Sequence, residues 1–558
     1  MPETNSLTGG ELLVRSLQNL GVTTCFGVPG ESYLAVLDAL YDASINFTLC
    51  RHESAASFAA SAWGKLTGTP GICFVTRGPG ATNGSIGVHS AMQDSSPMIL
   101  FVGQVAVGDK AREAFQEIDY KAMFGTVAKW AIEIDDASRV SEIVARAWHI
   151  ALSGRPGPVV IALPEDMLIQ LTDAPAVQPM SVPEPATDMQ ALAEAGKMLA
   201  EAKQPLILVG GSYWQDSAKS ALQDFAERNH IPVSAVFRYH DVFDNTHPCY
   251  IGDAGVGMAA GVERRLKEAD VILAINARFG EATTKAWTLF DVPYPAQKII
   301  HIHPCDRELG KIYQPALSLH AGPNQLAHAL TSLEIDNQHI EAKQKWLSDA
   351  CSDYKSSLRP RAQNSPVDMS AVMGWLQTHL DEDVIITNGA GNFALWPNKV
   401  FSYGAKQRLL APQSGAMGYG LPAAIAASLA HPGRQVVCFA GDGDIQMGIA
   451  ELGTAKQAGA KIIIIVLNNG SYGTIRMHQE RDYPGRISGT SLENPDFVAV
   501  ANAYGLAGKK VSTTTEFAAA FEAVNNSETG GVIELDISVE AITPARSLSE
   551  ISGKAQPH

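Results

Sequence analysis

Apolar residues along this chain fall into two alternating rhythms, a helical spacing of three and four and short continuous runs of strand type. Leu13, Leu17 and Leu20 form a helical stripe, and Thr8-Gly9-Gly10-Glu11 just ahead of it reads as a capping box. Buried-type strands are predicted at Gly71–Thr76, Met98–Val102 and Val159–Leu163. A second set follows at Pro205–Val209, Val271–Ile275 and Lys298–Ile302, and a third at Val384–Thr387, Gln435–Ala440 and Lys461–Leu467. Strands that alternate with helices pair in parallel and are covered on both faces. The expected fold class is therefore α/β, with three doubly wound parallel-sheet domains. In such sheets ligands sit beyond the carboxyl ends of the strands, which is where chemistry is sought.

Two proline-rich stretches divide the chain. Asp173–Thr187 carries Pro175, Pro179, Pro183 and Pro185, which fit neither a helix interior nor a central strand. Arg359–Pro366 follows a polar helical stretch. The expected domains are 1–175, 188–345 and 365–558, and 558 residues suit three to four domains at roughly 150 residues each. A hydrophobic fraction of 46% against 18% charged residues supports large packed cores and argues against disorder.

The net charge of −16 and the lack of any Lys/Arg-rich run argue against a nucleic-acid or anionic-membrane partner. Cys25, Cys50, Cys73, Cys249, Cys305, Cys351 and Cys438 are scattered, odd in number and without a CxxC pair, so a reducing compartment is expected and a zinc site is not. The N-terminal MPETNSLTGGELL has no basic and apolar regions of a signal peptide. The longest apolar run, Ile462 to Leu467, is too short to span a bilayer. A cytoplasmic protein is expected.

The most specific chemical signal is Gly441-Asp442-Gly443-Asp444, followed by Asn468-Asn469-Gly470-Ser471. Gly441 follows the strand QVVCFA, a helix is predicted from about Gln446 to Ala458, and the next strand ends at Asn468. This βαβ unit puts Asp442 and Asn469 at one sheet edge, where a carboxylate and a carboxamide oxygen suit a hard cation such as Mg²⁺. The glycines would let backbone amides close on a diphosphate. Each half alone could be an ordinary turn.

Together these segments resemble the thiamine-diphosphate (ThDP) enzymes, and the 27 residues from Asp442 to Asn469 suit that family's spacing. The resemblance implies Asp442, Asn469 and the main-chain oxygen of Ser471 as metal ligands. It implies Gly441, Gly443, Asp444, Tyr472, Gly473 and Asn392 around the cofactor. Arg51-His52-Glu53-Ser54-Ala55-Ala56 resembles the family's glutamate segment, so Glu53 would activate the aminopyrimidine, although a first-turn glutamate is common for its own reasons. Gly78-Pro79-Gly80-Ala81-Thr82-Asn83 resembles the loop that packs on the pyrimidine, with Pro79 and Asn83 as cofactor contacts. In Ser414-Gly415-Ala416-Met417, Met417 would be the wedge that bends the cofactor, and the Gly415 carbonyl would accept from its 4′-amino group.

The resemblance is closest to acetolactate synthase-like enzymes, through Phe26-Gly27-Val28-Pro29-Gly30, Gly103-Gln104-Val105, Asp94-Ser95-Ser96-Pro97, Ala114-Phe115-Gln116-Glu117 and Ala277-Arg278-Phe279. It implies that Gln116 reaches the reacting carbon. One departure stands out: the synthases carry arginine four residues after the arginine of the ARF segment, and this chain has Ala282. Alanine cannot clamp a ketoacid carboxylate. The ARFG version and the segment Gly489 to Asn494 resemble benzaldehyde lyase-like enzymes, which leaves an aldehyde acceptor open.

The resemblance implies a ThDP- and Mg²⁺-dependent lyase or ligase acting on small carbonyl substrates, as a homodimer or homotetramer with sites shared between subunits. Simple 2-ketoacid decarboxylation and a silent nucleotide-binding regulatory subunit are the alternatives. In this family the middle domain holds FAD, ADP or nothing. Gly210-Gly211 and Gly252 to Gly257 are too loose a set to call for FAD. His301 and His303 would share one face of a strand, without the acid or cysteine pattern of a metal site. Trp396 and Tyr472 to Arg476 are candidates for a substrate pocket.

Overall fold

The computed structural model describes residues 6–358 and 360–553. Residues 1–5, on which part of the N-terminal reading falls, and Arg359 at the head of the second proline-rich stretch lie outside them. Three six-stranded sheets follow one another along the chain, each wholly parallel and flanked by helices.

The first sheet uses Thr24–Gly27, Asn46–Leu49, Gly71–Val75, Met98–Gln104, Trp130–Glu133 and Pro158–Pro164. In space these lie in the order second, first, third, fourth, sixth, fifth. The third sheet, from Ile385–Asn388, Arg408–Leu410, Val436–Gly441, Ile462–Asn468, Ala507–Val511 and Gly530–Asp536, repeats that order. The middle sheet, from Pro205–Val209, Val233–Val236, Tyr250–Ala254, Val271–Ile275, Lys298–His303 and Leu317–His320, runs third, second, first, fourth, fifth, sixth. That is the doubly wound nucleotide-binding order, which reverses direction beside its first strand. The central strands are buried along their whole length, as their unbroken apolar runs require.

The capping box at Thr8 and Glu11 is formed. Residues 173–188 carry no strand and no helix. One expectation fails: the helix from Gln446 to Ala458 is broken. A short helix Asp442–Gln446 ends, the chain turns through Gly448, and Ile449–Glu451 forms a 3-10 turn before the helix Leu452–Ala458. Gly448 is outside the helical region (φ −146°), which lets the chain change direction there. The GPGATN segment is not a loop either. The helix Gly78–Asp94 starts within it, with Pro79 in its first turn, where a missing N–H costs nothing.

The first and third domains share one hydrophobic core. Helix Glu53–Thr67 and helix Gly420–Ala430 are rich in Ala, Gly and Ser, and they pack face to face with Phe58 edge-on to Tyr419 at 5.5 Å. A buried polar junction joins all three domains. Asp94 accepts the Gln413 amide at 2.6 Å, and Lys65 donates to the Ala411 carbonyl at 2.8 Å with its ammonium 3.8 Å from Asp94. The Ser212 and Tyr239 hydroxyls of the middle domain donate to the Asp94 carbonyl. Among the described residues no helix is long and apolar enough to cross a membrane.

Candidate active site

Val436–Gly441 and Ile462–Asn468 are adjacent parallel strands, with Gly441 opposite Leu467. Asp442 and Asn469 therefore emerge side by side from one sheet edge. Asp442 Oδ2 and Asn469 Oδ1 both accept from the Ser471 amide, at 3.2 and 3.1 Å. Ser471 donates its hydroxyl to the Thr490 carbonyl at 2.9 Å. Burial raises the Asp442 carboxyl above its ordinary range, opposed by hydrogen bonds from Asn494 and from the amides of Gly443 and Ser471. A cation at this point would offset the same burial cost.

These residues line a cavity of about 230 Å³ together with Asn392, Gly415, Met417, Gly441, Gly443, Asp444, Tyr472 and Gly473. Its lining contains Asp442 and Asp444 and no Lys, Arg or His. An anion such as a diphosphate finds no basic side chain here, so its charge must be met by backbone amides and a cation held by the oxygen donors. The donor set fits Mg²⁺, and the N-terminus of helix Gly473–Asp482 opens on the same cavity. Among the described residues no group of three His, Cys, Asp or Glu side chains forms a metal cluster, in keeping with a site of one carboxylate and one carboxamide.

The glycines of the motif have a further reason to be glycines. A Cβ on Gly441 would lie 2.7 Å from the Phe393 ring, and one on Gly443 would lie 2.5 Å from the Tyr472 ring. The two aromatic rings pack where those side chains would be. Gly389 is likewise required, because Asp444 Oδ1 would lie 2.0 Å from its Cβ. Asp444 is fully buried, and burial pushes its carboxyl up to about 7 against the Gly418 and Ala390 amides and Arg238.

Gly415 and Gly418 both have positive φ, which bends the segment so that Met417 faces the cavity. Ser414 and Ser90 share a hydrogen bond of 2.8 Å, which ties this segment to the first domain. Asn392 is locked by Thr474, whose hydroxyl accepts from the Asn392 amide at 2.9 Å and donates to its side-chain oxygen at 3.0 Å.

The candidates of the first domain form a separate group. Glu53 opens helix Glu53–Thr67, and Asn83 on the neighbouring helix donates to its Oε2 at 2.9 Å. Gly78, beside Pro79, donates its amide to the Gln116 carbonyl at 2.9 Å. Gln116 is not on a helix: it has a φ of +65° in an irregular loop where Ala111 and Glu113 are also left-handed, a strained backbone of the kind that accompanies functional segments. None of Glu53, Pro79, Asn83 and Gln116 lines the cavity.

A larger cavity of about 710 Å³ lies at the carboxyl ends of the middle-domain strands. Gly211, Gly255, Gly257, Asn276 and Arg278 line it, with Gln93 and Gln413 from the flanking domains. Ala282 is on its wall. His301 and His303 are buried; His301 Nε2 donates to the Ala277 carbonyl at 3.1 Å and His303 Nδ1 accepts the Cys305 amide at 3.0 Å. Both imidazoles are thus engaged with backbone. Trp396, Tyr472 and Ile475 line the smaller cavity.

Sequence reasoning gives no role to Asn494, whose amide bridges Asp442 at 2.7 Å and Asn468 at 2.8 Å. Nor does it single out Phe393 or Glu451. Asn494 is 52 residues from Asp442, and only the pairing of segment 490–492 with 470–472 brings them together.

The N-terminal binding domain of thiamine pyrophosphate enzymes matches residues 7–123, their central domain matches 192–330, and their C-terminal binding domain matches 389–535. The chain is 30% identical over 540 residues to the acetolactate synthase isozyme 2 large subunit of Escherichia coli, with 96% of each chain covered. It is 32% identical to the acetolactate synthase large subunit of Corynebacterium glutamicum, over 91% of this chain and 83% of that one. It is 33% identical to an acetolactate synthase of Arthrospira platensis, over 90% of both. With three domains matched in order and near-complete coverage, the chain belongs to the thiamine pyrophosphate enzymes of the acetolactate synthase-like kind.

Proposed function

We propose that this enzyme uses ThDP and Mg²⁺ to take an acyl unit from a 2-ketoacid or an acyloin and pass it to a carbonyl acceptor. The observation that carries the reading is the smaller cavity, which holds two carboxylates and two carboxamides and no basic side chain. Asp442, Asn469 and the Ser471 main-chain oxygen would hold the ion, and the ion would carry the diphosphate. When bound, ThDP supplies the acyl-anion chemistry that no side chain can provide.

The chain's own groups position and move protons. Glu53, steadied by Asn83, would hold a proton at N1′ of the pyrimidine. Met417 would set the cofactor's bend, and Gln116 would meet the substrate oxygen. Glu53, Pro79, Asn83 and Gln116 lie outside the cavity; exposed Ile86 is three residues from Asn83, and exposed Phe115 adjoins Gln116. This supports a site completed by the first domain of a second copy, in a homodimer or homotetramer.

Ala282 leaves a ketoacid carboxylate without its arginine clamp, which supports either another cationic partner or an aldehyde acceptor. The middle-domain cavity has the strand order of a nucleotide site and is the proposed place for FAD or ADP, if either is held. The test is turnover of pyruvate by purified protein with ThDP and Mg²⁺, resolving acetolactate, acetoin and acetaldehyde, with a flavin absorbance scan of the same sample. Acetolactate supports a synthase. Acyloin cleavage or aldehyde coupling without pyruvate turnover moves the enzyme to the lyase branch, and no reaction with any of these overturns the proposal.

A further inference from the structure

Glu451 is a carboxylate with 1% exposure, at the end of the 3-10 turn that follows the broken helix behind Asp442. Its Oε1 accepts the amides of Arg51 and His52, both at 3.0 Å, and its Oε2 accepts the Arg51 amide at 3.2 Å and the Thr454 hydroxyl at 2.5 Å. These two amides are the last before Glu53. His52 is extended (φ −148°) and caps the Glu53 helix by accepting the Ser54 amide at 3.2 Å. The grip continues along one face of the third domain, where Gln457 accepts from the Arg51 guanidinium at 2.8 Å.

Burying a carboxylate is costly unless donors satisfy it, and packing alone would be served by an apolar residue. The carboxylate's donors here are two consecutive main-chain amides from a segment 400 residues away, plus one local hydroxyl. Their fixation sets where the helix begins, and with it the direction of the Glu53 side chain, while Asn83 holds that side chain from the opposite helix. The break at Gly448 is what turns Glu451 toward the first domain.

We propose that Glu451 is a positioning residue for Glu53, holding the Arg51 and His52 amides so that the acid meets the cofactor in one orientation. It acts from the same domain that would hold the metal, so one chain's diphosphate cavity and its acid are rigidly linked. In a shared-site dimer that link joins the two active sites. The inference rests on the reading of Glu53 as the activating acid.

The test compares wild type, Glu451→Gln, Glu53→Gln and the double variant as full-length protein. The Glu451→Gln side chain keeps the shape and one oxygen for the two N–H groups, but it loses the charge that strengthens those bonds and puts an NH₂ where Oε2 accepts the Arg51 amide and the Thr454 hydroxyl. In the cofactor-free chain, amide hydrogen exchange at Arg51 and His52 should speed up about tenfold or more in Glu451→Gln. With ThDP and Mg²⁺ bound, deuterium exchange at the thiazolium C2 should slow about tenfold, with cofactor affinity changed by less than about threefold. The double variant should exchange no more slowly at C2 than Glu53→Gln alone, because the two act through one group.

If Glu53→Gln slows C2 exchange and Glu451→Gln does not, this inference is wrong. If Glu53→Gln itself leaves C2 exchange unchanged, the reading of Glu53 is wrong. Thr454→Val, which removes the hydroxyl that donates to Glu451 and also meets the Leu49 carbonyl, serves if Glu451→Gln does not fold: a C2 slowing of about twofold or more supports the proposal and none overturns it.

Discussion

Asp444 Oδ1 accepts the Gly418 amide at 3.0 Å, and the same oxygen accepts the Ala390 amide at 3.2 Å. One buried carboxylate thereby joins the segment carrying Met417 to the segment carrying Asn392, both of which line the smaller cavity. Asp444→Ala should release both segments and weaken ThDP binding about tenfold, about the worth of two buried hydrogen bonds. Asp444→Asn, which keeps one oxygen, should lose less. Quenching of tryptophan fluorescence is a suitable titration signal, since Trp396 lines the cavity.

The lack of a basic side chain in the smaller cavity should make cofactor binding depend on a cation. Chelation should strip ThDP from the enzyme, and excess Mg²⁺ should restore it. Asp442→Asn should raise the Mg²⁺ concentration needed for half-maximal ThDP binding about tenfold or more. Calorimetric titration of ThDP at several Mg²⁺ concentrations checks this. Binding of equal strength with and without metal would count against the ligand set.

Glu53→Gln keeps size and the contact with Asn83 but removes the acid. Turnover should fall by about 10² to 10³, in the range of a lost acid–base group, while ThDP affinity stays within about threefold. Steady-state rates beside a binding titration separate the two effects. A silent regulatory subunit would lose nothing.

His303 carries a pH dependence in the middle domain. Burial drives its pKa down to about 3, helped by His301, Arg155 and Arg278 and opposed by Glu308. The unfolded chain takes up the proton near pH 6.5 and the native chain does not, so stability is full above pH 6.5 and declines as pH falls toward 3. At pH 5 this group costs about 2 kcal/mol. His303→Asn, which can still accept the Cys305 amide, should flatten the fall of the middle-domain melting temperature between pH 7 and pH 5. An unchanged slope would show that other groups dominate.

The local code of the sequence is sufficient for the elements and the motif. Unbroken apolar runs such as Met98–Val102, set between helical patterns, read as central strands, and the GDG and NN segments sit at strand ends because buried strands precede them. The helix expected from Gln446 to Ala458 fails because a composition of Ala, Leu and Gln favours helix throughout, while a single glycine permits the break.

What the sequence by itself determined is the class of fold, the family and the chemical identity of the cavity's oxygen donors, since these depend on patterns within about thirty residues. Only the tertiary structure decided that Asn494 braces Asp442, that Phe393 and Tyr472 demand the motif's glycines, and that Glu451 grips the amides ahead of Glu53. These relations join residues dozens to hundreds of positions apart. Hydrogen bonds and packing act at distances of a few ångströms, whatever the separation along the chain, so no local pattern encodes them.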